Sequence, residues 1–101
     1  MTPTLPSLVL VEDDENNSFT LRALLEDEGF RTVVAGSCAE ARVVLRSATE
    51  DYCIAIVDQN LGDGDGYELV PVLRATHPRA KVILMSGTEQ DPVRGEFRNK
   101  R

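Results

Sequence analysis

The stretch Ile54–Gly66 reads IAIVDQNLGDGDG. Four apolar residues, Ile54 to Val57, run straight into Asp58, and the chain then breaks into glycines and acids. A short unbroken apolar run is the pattern of a strand buried on both faces, as in a parallel sheet. A single acid at a strand end is most often a turn or capping residue. Asp58 differs because a second acidic group, Glu12-Asp13-Asp14, ends another apolar run far upstream.

That upstream run is Ser7 to Val11, SLVLV, and it reads as the first strand. A helix follows from about Asn16 to Glu28, with Leu21, Leu24, Leu25 and Phe19 on or near one side and Gly29 as its stop. Arg31 to Ala35, RTVVA, is the second strand. Ser37 and Glu40 form a capping box for a second helix, whose core stripe is Ala41, Val44, Leu45 and Ala48. Tyr52 to Val57 is the third strand. The glycines at 62, 64 and 66 mark a loop, and a third helix spans Tyr67 to Thr76 with Pro71 in its first turns. His77 reads as a helix-end capping residue without a catalytic role. Ala80 to Met85, AKVILM, is the fourth strand, followed by Ser86-Gly87. Strands alternating with helices predict a parallel α/β sheet with right-handed crossovers.

The chain has 101 residues, 42% of them hydrophobic and 28% charged, which suits one globular domain. The net charge of −6 argues against nucleic acid or an anionic membrane as partner. No apolar run approaches a membrane span and no signal peptide is evident, so a cytoplasmic location is expected. Cys38 and Cys53 lack metal-site spacing and are expected to be reduced, mostly buried thiols.

In an open parallel sheet, ligands bind beyond the carboxyl ends of the strands, where the strand order reverses. If the first and third strands are neighbours, Glu12, Asp13 and Asp58 converge there. Two carboxylates a few ångströms apart repel by about 4 kcal/mol at an effective dielectric near 20. One must take up a proton, or a cation must sit among them. Hard oxygen ligands with open positions for phosphate oxygens fit Mg²⁺. A carboxylate beside such an ion can act as a nucleophile toward phosphorus, and Ser86 offers a hydroxyl to a phosphoryl oxygen. The Asp58 loop does not fit a calcium-loop pattern, and Asp58-Gln59-Asn60 lacks the second acid of a metal-dependent phosphohydrolase.

Taken together, LVLVEDDE, IAIVDQNLGDGDGYEL and VILMSG resemble the receiver domain of two-component response regulators, over Leu8 to about Glu89. The resemblance implies a flavodoxin-like, doubly wound parallel sheet and a phosphoryl group accepted on Asp58 from a histidine kinase or phosphotransfer protein. It implies a Mg²⁺ site made by Glu12, Asp13, Asp58 and the backbone carbonyl of Asn60. Ser86 corresponds to the hydroxyl residue that follows the phosphoryl group in the conformational switch, and Gly87 to the small residue that leaves room for phosphate. Asp65-Gly66 matches the family's Asp-Gly, and Asn60 and Thr88 match positions that tune phosphate lifetime.

Two departures carry expectations. Gly62 stands where the family commonly has proline, which implies a looser loop. Only Thr88 to Arg101 follow the fourth strand, too few for a crossover, a fifth parallel strand and a last helix. Neither Lys81 nor Lys100 fits the family's phosphate-pairing lysine. The expected molecule is therefore one receiver-like domain over 1–101, with a leader at 1–6, an atypical tail at 88–101, and the fifth strand and final helix lacking. Its fourth strand would be an exposed edge and one sheet face would be thinly covered, both favouring a homo-oligomer, with tails exchanged between chains one way to build it. The alternative function is a degenerate receiver acting as a phosphorylation-independent interaction module.

Overall fold

The computed structural model describes residues 5–47, 50–85 and 98–100. Strands β1 (Ser7–Val11), β2 (Arg31–Ala35), β3 (Tyr52–Asp58) and β6 (Lys81–Met85) alternate with helices α1 (Glu15–Asp27), α2 (Cys38–Ser47) and α3 (Val70–Thr76). Between β3 and α3 lie a small hairpin, β4 (Asn60–Leu61) and β5 (Gly64–Asp65), and a 3-10 turn, Gly66–Leu69. A short strand β7 (Arg98–Lys100) completes the main sheet, whose order is β2-β1-β3-β6-β7. β1 pairs in parallel with both β2 and β3, and β3 in parallel with β6. The chain thus starts in mid-sheet, steps out to β2 and returns on the far side of β1. That reversal between β1 and β3 opens a crevice at their carboxyl ends.

Local sequence explains the boundaries. Asp14 caps α1 by accepting from the Asn17 amide at 3.1 Å. The helix ends where Gly29 takes a φ of 99°, with Gly29 N–H donating to the Glu26 carbonyl and Phe30 N–H to that of Leu25. Ser37 Oγ accepts from the Glu40 amide at 3.0 Å, and the Glu40 carboxylate reaches back to the Gly36 amide at 2.8 Å. Pro71 stands in the first turn of α3, where no amide donor is missed.

The two faces of the sheet are unequally covered. On one, Val9, Val11, Ala55, Val57, Val82 and Leu84 pack with Ala41 and Leu45 of α2 and Leu73 of α3 into a continuous core. On the other, Leu8 and Leu10 of β1 are fully buried, but Ile54, Ile56, Ile83 and Met85 are only half-buried. The thin cover expected on one sheet face is thus found at β3 and β6. α1, on that side, leaves Leu24 and Phe19 exposed, Phe19 at 76%, so neither is the core residue its position suggested.

Two further expectations, on β6 and on Cys53, are amended. β6 is not a bare edge: β7 pairs with it antiparallel, Leu84 opposite Arg98 and Val82 opposite Lys100. No fifth parallel strand and no fourth α-helix occurs among the described residues. Cys53 is exposed, because β3 carries an irregularity there: Ser7 pairs with Tyr52 and Leu8 with Ile54, leaving Cys53 out of register. His77 is the C-cap of α3, its backbone N–H donating to the Leu73 carbonyl at 2.7 Å, and its buried side chain also serves α2, the Nε2–H donating to the Leu45 carbonyl at 3.1 Å while the ring lies 5.0 Å from that of Tyr52. Ala48, residues 1–4 of the leader, and residues 88–97 of the tail lie outside the described residues.

Candidate functional site

Glu12 and Asp13 follow the last residue of β1, and Asp58 is the last residue of β3. Each strand end is pinned by its neighbour. The Glu12 amide donates to the Ala35 carbonyl of β2 at 3.0 Å, and the Gln59 amide donates to the Met85 carbonyl of β6 at 2.8 Å. Asp58 itself pairs with Met85 in the sheet register. The acids therefore stand on backbone held in place by the neighbouring strands.

One carboxylate oxygen from each of Glu12, Asp13 and Asp58 lies within 4.8 Å of the others. Glu12 and Asp58 are buried, and Asp13 is open to solvent. Each accepts a backbone amide that fixes its orientation: Asp14 N–H on Glu12 Oε2, Asn60 N–H on Asp58 Oδ1, and Gly62 N–H on Asp13 Oδ2, all at 3.1 Å. Burial pushes the Glu12 carboxyl up to about 7, the nearby Asp58 and Asp13 charges adding to it and the Asp14 amide opposing. Three acids so placed, one of them holding a proton near neutrality, form a cradle of hard oxygen donors that suits a divalent cation. Asp14, the third acid of the upstream cluster, is committed to capping α1 instead.

The loop after Asp58 is more ordered than its glycines suggested. The Gly66 amide donates to the Gln59 carbonyl at 2.8 Å and closes the β4–β5 hairpin. A Cβ on Gly66 would collide with the Asp58 carbonyl oxygen and with Val57 Cγ1, so only glycine passes there. Asp65 then caps the 3-10 turn through the Tyr67 amide at 2.9 Å. Gly62 does not loosen the loop in the expected way, because its N–H, which a proline would lack, ties it to Asp13. Asp63, which sequence reasoning passed over, spans the gap to α2: its two oxygens accept the Cys38 amide at 2.8 Å and the Ala39 amide at 3.0 Å.

Asn60 follows Asp58 by two residues and lies in β4 beside the cluster. Ser86, Gly87 and Thr88 lie outside the described residues. Lys81 pairs with Ile54 at the far end of β6 from Asp58, and Lys100 pairs with Val82 near that same end. By register, neither lysine stands at the acidic cluster. No described helix is long and apolar enough to cross a membrane.

Comparison with known proteins agrees with this geometry. Residues 8–100 match the family described as the response regulator receiver domain. The photosynthetic apparatus regulatory protein RegA of Rhodobacter capsulatus is 32% identical over 81 residues, which are 80% of this chain and 43% of that protein. The cell cycle response regulator CtrA of Brucella ovis is 31% identical over 90 residues, 87% of this chain and 38% of that protein. The chain thus spans less than half the length of these relatives. Among solved structures, a CheY-like receiver domain from Methanospirillum hungatei superposes with a TM-score of 0.77 at 25% identity, covering 86% of this chain and 68% of the other. A Burkholderia pseudomallei response regulator with a phosphorylated aspartic acid, calcium ion and citrate gives 0.76 at 25% identity, covering 83% and 48%. The fold, the reversal-point cluster and these matches agree: the chain belongs to the response regulator receiver domain family.

Proposed function

We propose that Asp58 accepts a phosphoryl group from the phosphohistidine of a histidine kinase or phosphotransfer protein, in a Mg²⁺-dependent reaction. An oxygen of the Asp58 carboxylate forms the new P–O bond as the P–N bond breaks. The electron pair of that bond returns to the imidazole, which then takes up a proton, and Asp58 becomes a mixed anhydride. The observation that carries the reading is the convergence of Glu12, Asp13 and Asp58 within 4.8 Å at the strand ends. These three and the Asn60 carbonyl are the groups that would hold Mg²⁺, which when bound supplies charge neutralisation for phosphoryl oxygens. The Asn60 amide orients Asp58, and the bond from Gln59 to Met85 holds its backbone still. By family resemblance, the Ser86 hydroxyl donates to the phosphoryl group on Asp58 and follows it in the conformational switch, and Gly87 leaves room for it.

Exposed Phe19 and Leu24 and the half-buried face of Ile54, Ile56, Ile83 and Met85 support self-association as part of the same reading. The second reading, a phosphorylation-independent interaction module, is favoured by the register that keeps Lys81 and Lys100 from the acidic cluster. Intact-mass measurement after incubation with a small-molecule phosphodonor separates the two. A Mg²⁺-dependent gain of one phosphoryl group, lost in Asp58→Asn, is expected. No gain, with light scattering showing association indifferent to Mg²⁺ and phosphodonor, would establish the second reading.

A further inference from the structure

The β4–β5 hairpin carries two ties in opposite directions. Gly62 N–H reaches inward to Asp13, one of the three clustered acids. The next residue, Asp63, reaches outward and lays both carboxylate oxygens on the first amides of α2. Beneath the same turn, Cys38 Sγ faces the Asp65 carbonyl at 3.9 Å, and a Cβ on Gly64 would meet that sulfur at 3.2 Å. The hairpin therefore rests on the N-terminus of α2, and α2 is itself anchored in the core by Ala41 and Leu45. Asp63 is thus the side chain that ties the tip of this turn to α2. A loop with three glycines in five residues would otherwise sample many conformations.

We infer that Asp63 is a positioning residue: by clamping the hairpin to α2 it fixes Asn60 and the Gly62 amide relative to Asp13 and Asp58, and so sets divalent-cation affinity and the rate of Asp58 phosphorylation. The two amide bonds also hold the Asp63 carboxyl below its usual range, consistent with a carboxylate that stays charged in the clamp. The inference rests on the phosphoacceptor reading of Asp58. It adds a residue three places from Asn60 that touches neither ion nor phosphate.

Loss of a helix cap lowers stability whether or not it positions anything, so the test needs a matched control. Ser37→Ala removes the other side-chain cap of α2, on the Glu40 amide, and leaves the hairpin alone. Asp63→Ala, Asp63→Asn and Ser37→Ala are compared with wild type by Mg²⁺ titration calorimetry and by the rate of Asp58 modification at saturating phosphodonor. Amide hydrogen exchange is read over Asn60–Gly66 in the ion-free proteins. Asp63→Ala is expected to weaken Mg²⁺ binding by roughly tenfold, the lower end of what supporting contacts around a metal site contribute. It should also slow modification at saturating Mg²⁺ and speed exchange in the hairpin. Asp63→Asn, which keeps one acceptor, should recover part of each, and Ser37→Ala should leave all three as in wild type. Equal Mg²⁺ affinity and equal rates for Asp63→Ala and Ser37→Ala would overturn the positioning role. A wild-type chain that takes neither Mg²⁺ nor phosphoryl group would instead overturn the phosphoacceptor reading and this inference with it.

Discussion

Glu12→Gln should make the ion-free protein more stable at neutral and alkaline pH, although it removes a group from the candidate site. Glu12 is 5% exposed and shares its crevice with Asp13 and Asp58. Its carboxyl titrates near 7 in the folded chain instead of 4.5, burial being the largest cause. At about 1.36 kcal/mol per pH unit, ionising Glu12 in the folded state costs roughly 3 kcal/mol more than in the unfolded chain. The folded state binds the extra proton, so stability is full below pH 4.5 and is lost as pH rises through 7. A glutamine keeps the oxygen that accepts the Asp14 amide and carries no charge to ionise. In chelator at pH 8 the variant should therefore exceed wild type by about 2–3 kcal/mol, or about 10 °C or more in melting temperature for a domain of this size. Near pH 4.5 the difference should shrink toward zero. Saturating Mg²⁺ should reverse the order, because the cation stabilises the wild-type carboxylate and finds one ligand fewer in the variant. Thermal melts at pH 4.5, 6.5 and 8, each with chelator or Mg²⁺, make the measurement. If Glu12→Gln melts at or below wild type at pH 8 in chelator, the picture of three crowded carboxylates is wrong.

Gly66→Ala should lose about 1–3 kcal/mol in denaturant unfolding, since its Cβ has no room against the Asp58 carbonyl; an unchanged midpoint would mean that the hairpin closes differently. His77→Ala leaves the Leu45 carbonyl without its side-chain donor and removes the Tyr52 contact, so a loss of about 1–3 kcal/mol is expected by the same assay. A thiol reagent should label Cys53 promptly in the folded protein and Cys38 only on unfolding, because Cys38 is buried and burial pushes its thiol up. Peptide mapping after labelling reads both, and rapid modification of Cys38 would contradict the packing of α2 against the hairpin.

The parallel strands were legible because each is an apolar run long enough to cross a buried layer, and β1 and β2 begin and end where their sequences suggested. The meeting of Glu12, Asp13 and Asp58 followed from a topological rule once β1 and β3 were neighbours. Shorter or longer-range features were hidden. β4 and β5 have two residues each, too few for a periodic pattern, and glycine-rich sequence does not announce a hairpin whose ties come from Asp13 and α2. Asp63 reads locally as one more turn acid, since its partners are 25 and 24 residues away. Phe19 lies near the apolar side of α1 in helical projection but points to solvent, because hydrophobicity does not say whether a second layer exists to receive it. β7 pairs with β6 antiparallel, an arrangement that needs no helical crossover and that no apolar run in the sequence announced.

The irregularity at Cys53 has a consequence for the strand that carries Asp58. Tyr52, Ala55 and Val57 all reach the core, which a strictly alternating strand could not achieve with the odd step of three between the first two. Cys53 is therefore a surplus link, and removing it would leave Tyr52 and Ile54 adjacent, with every inward-facing residue still facing inward. The strand holds a spare residue at the end remote from Asp58, so small changes in length upstream of Ile54 can be taken up there without displacing Asp58 from its place beside Met85.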